Sequence, residues 1–218
     1  MGWQRCKARR NIRPHPSRST TLSSPVNPPR TAGLVLAAGA GTRLGEPKAP
    51  LMVGGERLVD RAVRVLAEAG CSPVVVVLGA WQGAVPKATV VINEAWSTGM
   101  GSSLRAGLAW LVDQAPDIER VAITPVDLPG LTVPAVERLL GHSEPVVVGS
   151  YAGVRGHPVL ITRQHWQQAM HMAEGDRGAR DFLATRRDLV VVELGDVASG
   201  QDLDTREDLD HFDQPTQL

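Results

Sequence analysis

The chain has 218 residues, with 23 basic and 23 acidic side chains, 43% hydrophobic residues and two cysteines. That composition belongs to a globular chain and excludes a coiled coil, a disulfide framework and a four-cysteine zinc site. The zero net charge is unevenly placed: residues 1–30 hold seven basic residues and no acid, so the rest carries an excess of seven acids, which argues against a nucleic-acid binder.

Residues 1–30 are also interrupted by Pro14, Pro16, Pro25, Pro28 and Pro29 and cannot bury enough apolar surface to order themselves. They are expected to be a disordered basic extension. They lack the apolar stretch of a secretory signal, while an acid-free, Arg- and Ser-rich start fits a transit peptide or an over-long start. Residues 31–218 are expected to form one domain. No apolar run approaches the ~18 residues that span a bilayer. The sparse cysteines fit a reducing compartment, so a cytoplasmic protein without membrane contacts is expected.

Along the body, strand and helix patterns alternate. Residues 32–37 read as a buried strand. Residues 57–69 read as a helix, because Leu58, Ala62, Val65, Leu66 and Ala69 recur at offsets of three and four. Strands follow at 73–78 and 88–92, a helix at 102–112 and a strand at 120–124. Then come a helix at 134–140 with Thr132 as its cap, strands at 145–151 and 158–162, helices at 163–172 and 177–184, a strand at 189–194 and a helix at 205–212. Strands that are apolar at every position are buried on both faces. That predicts an α/β fold of three layers, with a mostly parallel sheet between two layers of helices.

The chemistry begins directly after the first strand, in Leu36-Ala-Ala-Gly39-Ala-Gly41-Thr-Arg43-Leu-Gly45-Glu-Pro-Lys48. Glycines let backbone N–H groups approach an anion, and ligands of open α/β sheets sit beyond the carboxyl ends of the strands. The loop therefore reads as a phosphate cradle with two cations, or as an ordinary turn with solvated ones. Its glycine spacing is one residue too long for the dinucleotide fingerprint, although Asp60 lies where a ribose-binding acid would; Glu46 after Gly45 rules out a P-loop.

The segment resembles the signature of the MobA-like nucleotidyltransferases, and within them the molybdenum cofactor cytidylyltransferases. Three further blocks carry the resemblance: Asn93-Glu-Ala-Trp96-Ser-Thr-Gly99-Met100-Gly101-Ser102-Ser103-Leu104, Gly175-Asp176-Arg177-Gly178-Ala179-Arg180 and Asp202-Leu-Asp204-Thr205-Arg206-Glu207-Asp208. It spans roughly residues 31–212 and implies a Rossmann-like nucleotide-diphospho-sugar transferase fold. Glu94 and Arg206 stand where the family often has proline, and Thr124-Pro-Val-Asp127-Leu-Pro129 stands where many members have Gly-Asp-Met-Pro.

The implied reaction is Mg²⁺-dependent transfer of a nucleotidyl group, CMP from CTP, to a phosphorylated pterin acceptor such as molybdopterin, with release of pyrophosphate and with a client molybdoenzyme as a further partner. The resemblance makes Arg43, Lys48 and Asp127 catalytic. It places the nucleotide on Leu36, Ala37, Ala38, Gly39, Gly41, Thr42, Gly45, Gly79 and Asn93. Ala37, where guanylyl-transferring relatives usually have glycine, points to CTP. The acceptor falls to Gly99, Met100, Gly101, Ser102, Ser103, Gly156, His157, Arg177 and Arg180, and the metal to Asp127 and Asp204. Simpler roles compete: Ser102 as a helix cap, Asp204 as the cap of the last helix ahead of Glu207, and the tryptophans as core or rim. Branches of the superfamily have moved to other activities, including an oxidoreductase acting on a plant-alkaloid pigment. An oxidoreductase using NAD(P)H or flavin, and a non-enzymatic chaperone of cofactor maturation, are therefore the alternatives.

Overall fold

The computed structural model describes residues 29–213; the basic extension, residues 29 and 30 apart, lies outside them. Seven strands form the central sheet: β1 (Thr31–Ala37), β4 (Val74–Leu78), β5 (Thr89–Ile92), β6 (Arg120–Pro125), β7 (Val146–Tyr151), β8 (Val154–Thr162) and β9 (Leu189–Glu193). Two short strands, β2 (Met52–Val53) and β3 (Glu56–Arg57), make a separate hairpin that the sequence pattern did not announce. The order across the sheet is β5-β4-β1-β6-β8-β7-β9. Every pairing is parallel except those of β8, which runs against both β6 and β7.

Alternation along the strands divides the core in two. Val35 and Ala37 of β1, with Val74, Val76 and Leu78 of β4, face α1 (Leu58–Glu68), α3 (Val133–Leu140) and α6 (Arg206–Asp213). Leu34 and Leu36, with Val75 and Val77, face α2 (Met100–Gln114), α4 (Trp166–Met172) and α5 (Arg180–Ala184). Leu104, Leu108 and Leu111 form one stripe of α2 and are fully buried, each stabilising the fold by on the order of 2 kcal/mol. The three-layer arrangement is the expected one.

Several boundaries differ from expectation. Helix α2 begins at Met100 rather than 102, α4 begins only after a 3-10 turn at Arg163–His165, and α5 starts at Arg180 because Gly175–Arg177 is itself a 3-10 turn. Strand β8 begins four residues early. Ala152 and Gly153 join it to β7 with φ of 50° and 79°, the backbone of a tight two-residue hairpin. Glu193 holds that turn by accepting from the Ala152 and Gly153 N–H groups and from Ser150 Oγ. Among the described residues no helix is long and apolar enough to cross a membrane.

The registers fix where ligands can sit. Ala37 pairs with Leu78, and Leu36 with Pro125, so β1, β4 and β6 end together. Val159 of the reversed strand pairs with Ile123, which brings Gly156 and His157 to the same edge. That edge carries the site.

Candidate active site

Strand β1 ends into a loop that folds back on itself, with Gly45 N–H donating to Gly41 O at 2.8 Å. Gly41 has φ 63°, and a Cβ there would collide with the Glu46 carbonyl, so the turn requires this glycine. Gly39 is different. A Cβ on it would meet nothing within 4 Å, so packing does not account for the glycine, and its backbone lines an open cavity of about 470 Å³.

The opposite wall comes from β6. Val126 N–H donates to Leu36 O, and Asp127 follows at the strand end. Leu203 N–H donates to Asp127 O at 2.8 Å, which draws the segment before α6 alongside and sets Asp204 next to Asp127. Lys48 Nζ then donates to both acids, to Asp127 Oδ2 at 2.7 Å and to Asp204 Oδ1 at 2.6 Å. Arg43 Nη1 donates to Asp204 Oδ2 at 2.6 Å. The four charged residues singled out in the sequence thus meet in one network.

Burial works against the Lys48 ammonium, but Asp127 and Asp204 outweigh it, and its pKa is raised. The hydrogen bond from Lys48, helped by Arg43, lowers that of Asp204. Asp202, two residues away, moves the other way: burial, then the charges of Asp127 and Asp204, raise its pKa.

Asp204 had a competing role as a helix cap, and the structure assigns that role elsewhere. Asp208 Oδ2 accepts from Asp204 N–H, Thr205 N–H and Thr205 Oγ1, while Asp208 N–H donates to Thr205 Oγ1. Thr205 and Asp208 therefore cap α6, not Asp204 with Glu207, and the Asp204 carboxylate is left to the cations.

Of the predicted nucleotide residues, Leu36, Ala37, Ala38, Gly39, Gly41 and Thr42 line this cavity, along with Arg43 and Lys48. Gly99, Met100 and Ser103 reach it from the start of α2. Gly45, Gly79, Asn93, Gly101 and Ser102 do not line it. Gly79 is filled from above by the Trp96 ring. Asn93 Nδ2 donates to Ser102 Oγ and Ser103 Oγ, and Ser102 Oγ donates on to the carbonyls of Ala95 and Gly99. Asn93 and Ser102 are thereby spent on shaping the turn into α2. Nor does Ser102 cap that helix, whose N-cap is Gly99 at φ 111°, packed on Gly175 so closely that no Cβ fits.

Gly156, His157, Arg177 and Arg180 line a second cavity of about 560 Å³, which shares Met100, Pro125, Asp127 and Asp176 with the first. Burial pushes His157 down to about 4, against the pull of Asp127, so its imidazole is neutral at pH 7. Trp96, read as core or rim, lines the first cavity, and sequence reasoning gave no role to Ser97 in the first cavity, Arg155 and Asp202 in the second, or Asp176 in both. Trp96, Ser97, Asp176 and Asp202 lay inside quoted motifs, and Arg155 directly precedes Gly156. The candidate ribose acid Asp60 is ion-paired with Arg57 at 2.6 Å and lines neither cavity.

The donor set suits a divalent cation. Two carboxylate oxygens lie within 2.7 Å of a single cationic nitrogen, so they are spaced to share one positive centre. Among the described residues no cluster of three or more His, Cys, Asp or Glu side chains could hold an ion. A magnesium ion here would draw its remaining ligands from water and from a bound phosphate, its usual habit.

Comparison with known proteins agrees with this architecture. The chain is 38% identical over 198 residues to nicotine blue oxidoreductase of Paenarthrobacter nicotinovorans, covering 83% of this chain and 95% of that one. It is 36% identical over 106 residues to a probable molybdenum cofactor guanylyltransferase of Opitutus terrae, covering 49% of this chain and 52% of that one. In fold it is similar to Rv0371c of Mycobacterium tuberculosis, with a TM-score of 0.72 and 24% identity over 86% of this chain and 99% of that one. It is also similar to a manganese complex of Rv0371c, with a TM-score of 0.67 and 23% identity over 84% and 97% of the two chains. The model of the MobA-like NTP transferase domain matches residues 33–190. The chain therefore belongs to the MobA-like NTP transferase family and carries its nucleotidyltransferase domain.

Proposed function

We propose that the chain transfers CMP from CTP to a phosphorylated acceptor of the molybdopterin type, with Mg²⁺ as its metal. The observation that carries this reading is the meeting of Lys48, Arg43, Asp127 and Asp204 on the wall of a glycine-lined cavity that opens onto a second, arginine-lined one. In the reaction an acceptor phosphate oxygen bonds to the α-phosphorus while the bond from that phosphorus to the bridging oxygen breaks, and pyrophosphate leaves with the electron pair. The acceptor oxygen is already anionic, so no general base is required.

Lys48 and Arg43 bind the triphosphate and offset the charge that gathers on the departing pyrophosphate. The Gly39 backbone lets the phosphates come close, and Gly99, Met100 and Ser103 at the start of α2 border the same cavity. Asp127 and Asp204 would hold the metal, which supplies Lewis-acid polarisation of the phosphoryl oxygens. In the second cavity Arg155, Arg177 and Arg180 attract the acceptor's phosphate, and Val148, Val159 and Leu183 give an apolar wall for its ring system. Ala37 on the first cavity's wall makes CTP the donor to try first.

A second reading has one observation in its favour: the relative that aligns over 95% of its own length is an oxidoreductase. The stretched glycine spacing and the engagement of Asp60 by Arg57 weigh against a dinucleotide here. Thermal unfolding with CTP, GTP, ATP or NADPH, each with and without Mg²⁺, separates the two readings, because ligand at a hundredfold excess over its dissociation constant stabilises by ~2.7 kcal/mol. The proposal expects the largest shift with CTP and Mg²⁺, pyrophosphate release on adding acceptor, and a loss of at least about a hundredfold in turnover for Asp127→Ala. A shift with NADPH alone sinks it.

A further inference from the structure

Both carboxylates offered to a metal already share a cation, and that cation belongs to the chain. Lys48 Nζ lies 2.7 Å from Asp127 Oδ2 and 2.6 Å from Asp204 Oδ1, and its side chain is only 13% exposed. The same residue lines the first cavity beside Gly39 and Arg43, where an anion would be received. Its backbone is fixed, because Lys48 O accepts from Leu51 N–H and the neighbouring Ala49 O accepts from Val59 N–H. The side chain can therefore trade partners without the loop moving. A divalent cation drawing on the same two oxygens has to displace the ammonium, and a displaced ammonium beside a dication is repelled unless an anion receives it.

We infer that Lys48 is an internal cation lock: it holds the seat between Asp127 and Asp204 and gives it up to a divalent cation at the moment a triphosphate takes the freed ammonium. This rests on the metal and phosphate roles proposed above but not on which nucleotide or acceptor is used. The lock makes the two ligands mutually dependent. Each raises the affinity for the other by one and the same factor, because coupling between binding sites is reciprocal. Arg43 has the same exchange to make, since its hold on Asp204 at 2.6 Å must also give way to phosphate. It is 75% exposed and free to swing, so its pairing resists the exchange less than that of Lys48.

The experiment uses the full chain and Mn²⁺ without nucleotide, with free and bound ion counted by electron paramagnetic resonance. Lys48→Met and Lys48→Gln should each bind Mn²⁺ about tenfold more tightly than wild type, the equivalent of about 1.4 kcal/mol. Adding Asp127→Asn to either should abolish the gain. Circular dichroism melts establish that each variant is folded. A second measurement needs no variant: amine acylation of wild type, followed by peptide mass spectrometry. The chain has only three lysines, so exposed Lys87 serves as the internal reference. Mn²⁺ should raise the labelling of Lys48 several-fold relative to Lys87.

Unchanged or weaker Mn²⁺ binding in both folded variants overturns the lock, as does Lys48 labelling that ignores bound Mn²⁺ or a lack of Mn²⁺ uptake in wild type and both variants alike. The two proposals fail separately. A chain that turns over CTP but shows none of these Lys48 effects keeps the function and loses the lock. One that shows them yet ignores CTP keeps the lock and loses the donor.

Discussion

In the first cavity Arg43 and Lys48 are already bound to Asp204 and Asp127. In the second, Arg155 and Arg180 make no ion pair among the described residues, and only Arg177 is tied, to Asp181 at 3.0 Å. The two cavities share Asp127 but handle charge differently. One ties its cations to Asp127 and Asp204 and would have to exchange partners to receive a metal and an anion. The other presents exposed cations and can receive an anion by simple addition. Ligands on the first side should therefore arrive together, and a ligand on the second side should depend chiefly on ionic strength.

The sharpest break in that comparison comes from a glycine. Gly39→Val adds a side chain whose Cβ meets nothing in the protein, so the unfolding temperature should hold or rise slightly. Nucleotide affinity should fall by about a hundredfold, the scale of an overpacking clash of 2–3 kcal/mol. Acceptor binding, on the other side of Asp127, should not change. A valine variant that binds nucleotide normally would show that the loop does not cradle phosphate.

The next effect belongs to the second cavity and to pH. Burial holds His157 neutral, with its pKa near 4 instead of the ordinary 6.5. The unfolded chain takes up a proton below about 6.5 and the folded chain does not, so stability should fall as pH drops through that window and level off below about 4. The loss should be on the order of 2 kcal/mol. Asp204, whose pKa is lowered by Lys48, contributes stability that is lost only below the ordinary carboxylate range, so the two windows are distinct. Denaturant melts of His157→Asn between pH 7 and 4 should lose most of the upper slope and keep the share of His165, whose pKa burial and then Arg186 also lower. Persistence of that slope would assign it to another group.

A smaller effect tests the free cations. Arg155→Ala and Arg180→Ala should each raise the acceptor KM by about three- to tenfold, the scale of a solvent-exposed charged contact, while leaving the affinity for CTP unchanged. Added salt should weaken wild type toward the variants. Equal losses on both substrates would mean that the cavities are not separate in the way their charge suggests.

Much of this arrangement could be read before any coordinates, and the exceptions have physical causes. Apolar runs announced the layers because burial on both faces leaves a direct trace, as in Val74–Leu78. Strand direction leaves none. Val159–Ile161 is as apolar as any parallel strand, and what reverses it is the two-residue turn at Ala152 and Gly153, where alanine gives no hint of its positive φ. That the glycine loop, Lys48 and Asp127 gather at one sheet edge was legible because the loop follows β1 and the acid follows β6 in the sequence. Which residues point into the cavity was not. Asn93 and Ser102 sit in a motif beside Gly99 and Ser103, yet they turn inward and bind each other, a matter of backbone geometry at the α2 entry.

The least of the expected effects decides the role of Asp204. Two neighbours in Asp202-Leu-Asp204-Thr205 could each have capped α6, and the hydrogen bonds give that duty to Thr205 with Asp208. Thr205→Ala should then cost ~1 kcal/mol, a fall of about 2–4 °C in unfolding temperature for a chain this size, and Thr205→Ser should restore most of it. Mn²⁺ affinity should loosen only slightly, because Leu203 N–H still pins the segment to Asp127 O. Asp204→Asn should do the reverse, sparing the helix and removing the metal. If Asp204→Asn leaves Mn²⁺ affinity unchanged, the acid is no metal ligand, and its contacts with Lys48 and Arg43 are a structural ion pair alone.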